Sequence, residues 1–142
     1  MDAAADAMWA VFLRSSNARV NALMQTGVQL MQSGDLRGAL RVFTEITAAE
    51  PTFAEGYNKR ATVLYMMARL EESVADCEVV VGLQPLHFGA LSGMGLCLYK
   101  LGDLPAALAA FDRTLAVHPG LTEIRKLAEQ VRARLADEQA GR

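Results

Sequence analysis

The sequence predicts an all-α chain of stacked, antiparallel helix pairs. Three observations carry this reading. First, Pro51, Pro85 and Pro119 recur every 34 residues, and a fixed period of this size marks a repeat architecture. Second, with each proline set at position 32, small residues recur at position 8 (Gly27, Ala61, Gly95) and position 20 (Ala39, Ser73, Ala107). Large residues recur at position 4 (Leu23, Tyr57, Leu91), position 11 (Leu30, Leu64, Leu98) and position 17 (Leu36, Leu70, Leu104). Third, Gly34-Asp35 and Gly102-Asp103 stand at positions 15 and 16. Small residues let two helices approach closely, and large ones fill the layers between units. Proline cannot continue a helix, so it closes each pair.

The elements follow in order. Residues 1–16 place Ala5, Trp9 and Phe12 at positions 20, 24 and 27 of a preceding unit. They read as an N-terminal capping helix, the lone second helix of that unit. Repeat units then run 20–53, 54–87 and 88–121. Position 24 is Phe43, Cys77 and Phe111. In units one and three, glycine ends the first helix in a left-handed conformation and aspartate caps the second. Unit two has Ala68-Arg69 there, so its turn is expected to be less well capped. Thr52 and Glu55 have the spacing of a capping box at the start of unit two. A final amphipathic helix is expected over 121–138, with Ile124, Leu127, Ala128 and Val131 inward. The whole is one domain, 1–142, of eight helices.

Composition narrows the function classes. The chain has 142 residues, 52% of them hydrophobic, with a net charge of -2. That excludes a disordered chain and disfavours a broad nucleic-acid footprint. No apolar run approaches the roughly 20 residues of a membrane span. Asp2 and Asp6 stand where a signal or transit peptide carries positive charge. A cytoplasmic home is expected, and a processed organellar form numbered from 1 fits equally. Cys77 and Cys97 lie 20 residues apart with no CxxC, which reads as two reduced core thiols. No nucleophile elbow, dinucleotide fingerprint, phosphate loop or HExxH occurs. Gly89, Gly93 and Gly95 fall inside a predicted helix, not between a strand and a helix. His87 and His118 occupy equivalent loops of successive units and do not converge as metal ligands must. Glu50, Glu55, Glu71 and Glu72 sit at helix starts, where acids partner the helix dipole. No enzyme activity, metal or cofactor is expected.

This constellation resembles the tetratricopeptide repeat family, whose pattern has a large residue at 4, small residues at 8 and 20, an aromatic at 24 and proline at 32. The resemblance covers about residues 20–121 and implies a right-handed solenoid of three helix-turn-helix repeats between two capping helices. The stretches 54–61 and 86–96 are similar to small bacterial members and to plant and algal organellar ones. The family lines a concave groove with positions 2, 5, 9, 12 and 13 of each first helix. Carried over, these are Asn21, Met24, Val28, Met31 and Gln32; then Glu55, Asn58, Thr62, Tyr65 and Met66; then Gly89, Ser92, Leu96, Tyr99 and Lys100. The closing helix adds Thr122, Arg125, Glu129 and Arg132 at one end.

One subgroup of the family grips the acidic EEVD tails of heat-shock chaperones with cations and asparagines at five positions. Here those positions hold Met24, Val28, Lys59, Gly89 and Gly93. Converging cationic donors for a carboxylate are missing, so a chaperone tail is not the expected partner. The expected function is a non-catalytic scaffold or adaptor, an assembly factor holding an extended peptide or amphipathic helix against an apolar, methionine-rich wall. Asn21, Asn58 and Ser92 are candidates to bond a partner backbone. Three alternatives stay open. The chain is a permanent subunit of a large complex, bound through its convex face or ends. The groove is covered by the chain's own ends. An RNA-binding helical repeat, which reads bases on a basic surface, is disfavoured by the period and the acidic charge.

Overall fold

The computed structural model describes residues 15–141. The expected helix over residues 1–16 therefore lies almost wholly outside the described residues. Seven helices follow: α1 (Ala18–Gln32), α2 (Leu36–Ala49), α3 (Ala54–Met66), α4 (Leu70–Leu83), α5 (Phe88–Leu101), α6 (Leu104–Val117) and α7 (Thr122–Gln139). No strand occurs among the described residues. Each helix packs on the next, and α3 also touches α1 and α5. The first helices of the pairs thus form one row and the second helices another. The core is correspondingly divided into three linked clusters along the stack.

The outer units pack as the small-residue pattern dictates. Phe43 and Phe111 are fully buried. A Cβ on Gly27 would stand 2.4 Å from the Phe43 ring, and one on Gly95 would stand 2.6 Å from the Phe111 ring. Only glycine admits the phenyl ring at these crossings, because close-packed interiors have no slack of that size. The middle unit makes both changes at once, with Ala61 in place of glycine and Cys77 in place of phenylalanine.

Turn chemistry is legible at most helix ends. The side chains of Asn17, Asp35 and Asp103 accept backbone N–H bonds at the starts of α1, α2 and α6. Gly34 and Gly102 are left-handed, with φ of 89° and 87°. The middle turn has the same closure. Arg69 N donates to Leu64 O at 2.9 Å, as Asp35 N donates to Leu30 O at 2.9 Å. Ala68 is therefore forced to φ 60°, and Arg69 supplies no side-chain cap. The capping box expected from Thr52 and Glu55 does not form. Phe53 is the N-cap residue of α3 and makes no side-chain bond, and its backbone turn is closed by Gly56 N donating to Phe53 O. His87, read only as a loop residue, caps α5: its Nδ1 accepts from Ala90 N at 3.0 Å.

Candidate partner-binding groove

The inner row of α1, α3 and α5 presents the predicted wall, but its parts differ. On α1, Met24, Val28 and Met31 are half-buried and pack against the first core cluster. They support the helix pair as much as they face outward, while Gln32 is exposed. Asn21 is fully engaged: its Oδ1 accepts from Ser15 N at 2.9 Å and its Nδ2 donates to Ser15 O at 2.8 Å. On α3, Thr62 and Met66 are exposed and Asn58, Lys59 and Tyr65 are half-buried. Glu55 is buried, with Lys59 Nζ 3.7 Å and Asn58 Nδ2 3.3 Å from its Oε1. Its carboxylate is thus neutralised within α3 and is not offered to a partner.

On α5, Gly89 and Tyr99 are exposed, and Ser92 and Leu96 are half-buried. The Ser92 hydroxyl donates to Gly89 O at 3.1 Å. The three residues expected to bond a partner backbone therefore all have internal partners. A bound segment would have to exchange those bonds, so each would add little net affinity. Lys100 lies over the Tyr65 ring, 4.9 Å from its centroid, and the Tyr65 hydroxyl holds the ammonium above its ordinary pKa. On α7, Arg125 donates to Pro119 O. Arg132 turns away to Asp112 of α6 at 2.9 Å, and so does not contribute to the inner wall.

The geometry concentrates in one place. A cavity of about 170 Å³ opens between α3 and α5. Five of the expected groove residues line it: Asn58, Thr62, Tyr65, Gly89 and Leu96. Gly93, at one of the five tail-gripping positions, lines it too, and Ala61, Ser73 and Cys77, which were not expected, complete it. Their signal was present in the sequence as the missing aromatic at position 24 of unit two. Ser73 Oγ donates to Ala61 O at 2.8 Å and lies beside both cysteine thiols. Burial, with the nearby Cys97 and Asp76 adding to it, pushes the Cys77 thiol up to about 12. Cys97 is raised by burial as well. Both cysteines are free and buried, as expected, and Cys77 presents a neutral, polarizable surface to the cavity.

A second feature was not foreseen. Arg60 donates two bonds of 2.8 Å to Asp76 and one of 3.1 Å to Thr47. This bidentate pair ties α3 to α2 and α4 and borders a second cavity, facing the outer row, of about 320 Å³. Among the described residues, no cluster of metal-ligating side chains occurs. No described helix is long and apolar enough to cross a membrane.

No family model matches the chain. Among curated proteins it is 36% identical, over 89% of its length, to a TPR repeat-containing protein of Rhizobium etli. It is 26% identical, over 72% of its length, to the small glutamine-rich tetratricopeptide repeat-containing protein 2 of Saccharomyces cerevisiae. The chain spans 60% of the first and 30% of the second. Among solved structures, it superposes on the first TPR domain of Spaghetti (RPAP3) bound to the HSP90 peptide SRMEEVD with a TM-score of 0.78, covering 82% of this chain and 93% of that one at 21% identity. It superposes on MamA with a TM-score of 0.78, covering 82% and 68% at 18% identity. Three helix pairs on a period of 34, small residues at the crossings and these likenesses together give the chain the fold of a tetratricopeptide-repeat solenoid and make it similar to that family.

Proposed function

We propose that the chain is a non-catalytic interaction module that holds a segment of a partner protein along the inner row of helices. The observation that carries this reading is the open, largely apolar cavity between α3 and α5, lined by residues of both first helices. Met66 and Tyr99, 51% and 36% exposed, extend the apolar surface beyond it. An extended peptide or an amphipathic helix suits such a surface, since both present side chains at regular intervals.

The reading also excludes the acidic chaperone tail as the preferred partner. The first TPR domain of RPAP3 is bound to such a peptide in its solved structure. At the five positions that would grip the carboxylates, this chain has Met24, Val28, Lys59, Gly89 and Gly93. Only Lys59 is cationic, and it lies 3.7 Å from Glu55. A micromolar affinity for SRMEEVD in isothermal titration would overturn this exclusion.

The test of the main reading is a tagged pull-down from native extract, run with the wild type and a Met66→Glu/Tyr99→Glu variant. Both side chains are exposed, so folding is kept. One protein recovered by the wild type and lost by the variant supports the groove. A second reading has its own observation. Val79, Leu83 and Leu86 are 39%, 38% and 74% exposed along the outer side of α4 and just after it. A permanent subunit would bury this row. Loss of recovery with Leu83→Glu/Leu86→Glu, and not with the groove variant, would favour it.

A further inference from the structure

The cavity has a shape that the molecule itself explains. In units one and three, the residue at position 24 is a fully buried phenylalanine, Phe43 or Phe111, seated on a glycine. In unit two the corresponding pair is Cys77 and Ala61, and both line the open cavity. The opposing wall is cut back as well. Gly93 is half-buried, and a Cβ there would lie 3.8 Å from the Cys77 sulfur, in open contact rather than collision. The middle unit therefore carries an unfilled ring site that opens onto the inner face.

We propose, resting on the groove reading above, that this site is an anchor pocket for a phenylalanine side chain of the partner segment, flanked by an acidic residue. Its volume of about 170 Å³ suits a ring, since an engineered apolar cavity of about 150 Å³ takes up benzene. Its floor holds no free strong donor, since the Ser73 hydroxyl already donates to Ala61 O and the Cys77 thiol is only a weak donor and acceptor, so a plain phenyl ring buries there without stranding one. The flank follows from charge complementarity. Lys100, against the lining residue Tyr65, is in none of the ion pairs among the described residues. Glu55, the carboxylate that α3 contributes to the inner wall, is buried beside Lys59.

The test uses three capped tripeptides, Ac-Glu-Phe-Ala-NH2, Ac-Lys-Phe-Ala-NH2 and Ac-Glu-Ala-Ala-NH2, titrated into the ¹⁵N-labelled full chain. The expected result is a saturable shift of the Gly89 and Gly93 amides with the first, at least twofold weaker binding of the second, and none with the third. Two variants close the site from opposite walls. Ala61→Gly/Cys77→Phe recreates the pairing of the outer units, and Gly93→Leu fills the mouth should the first not fold. Either is expected to abolish the shift. No shift with the phenylalanine peptides, an equal shift with the alanine peptide, or an undiminished shift in a folded filled variant would overturn the anchor pocket. Equal binding of the lysine peptide would overturn the acidic flank. These outcomes are independent of the pull-down: a groove-dependent partner that binds the filled variants equally sinks the pocket and leaves the groove.

Discussion

The middle unit and the two outer units share one backbone plan and solve its packing differently. Units one and three seat a phenylalanine on a glycine and turn through a left-handed glycine followed by a capping aspartate. Unit two seats a cysteine near an alanine, turns through a left-handed alanine and has no side-chain cap. It also carries the Arg60–Asp76 pair where unit three has Met94 and Ala110 at the equivalent positions. The outer units are built to close a core. The middle unit leaves space on its inner face and anchors itself with polar bonds on the other. The difference teaches that a repeat pattern closes the core, while departures from it set where space is left open.

The largest expected effect breaks the outer crossings. Gly95→Leu or Gly27→Leu drives a side chain into a buried phenyl ring and should cost about 3 kcal/mol by overpacking. Ala61→Leu faces the open cavity and should cost about 1 kcal/mol or less, because the added atoms have somewhere to go. Urea melts of the three variants check this. Equal losses would mean that the middle crossing is as tight as the others. Next in size is the polar network. Asp76 is 5% exposed, and Asp76→Ala strands the Arg60 guanidinium, at about 2 kcal/mol for a lost charged hydrogen-bond partner. The double variant Arg60→Met/Asp76→Ala, which copies unit three, should recover most of that loss.

Much of this was legible in sequence. The prolines, the small residues at positions 8 and 20 and the Gly-Asp turns give helix pairs because each acts locally, through sterics or a single cap. The closing helix was legible for the same reason: Ile124, Ala128 and Val131 are buried on one side. The capping box at Thr52 was not, because its spacing can be met without its geometry, and the chain turns one residue later at Phe53. Groove residues carried over from the family pattern gave positions but not states. Glu55 is buried and Asn21 is spent on Ser15, since a position cannot reveal a neighbour's hydrogen bonds. The cavity required combining Ala61, Cys77 and Gly93 across three helices. Each substitution looks minor alone, and only the packed structure adds them.

Smaller effects sharpen the comparison at the turn and the thiol. Ala68 at φ 60° bears the left-handed penalty that Gly34 and Gly102 escape, so Ala68→Gly should stabilise by about 1 kcal/mol. Gly102→Ala should lose a similar amount, and matched thermal melts would show the pair as opposite shifts. The thiol gives the finest contrast. Cys77, raised to about 12 by burial, stays protonated in the fold where an unfolded cysteine ionises near about 8.5. A folded pKa above the unfolded one gives stability that is complete below the unfolded value and is lost as pH rises toward the folded value. The chain should therefore weaken progressively between about pH 9 and about pH 12, and Cys77→Ala should flatten that decline. At pH 8 the native thiol should label with a disulfide reagent far more slowly than the urea-unfolded chain, because thiolate is the reactive form. Occupation of the cavity by the phenylalanine tripeptide should slow labelling of Cys77 further. Rapid native labelling would mean that the floor of the cavity is open to solvent and not an apolar seat.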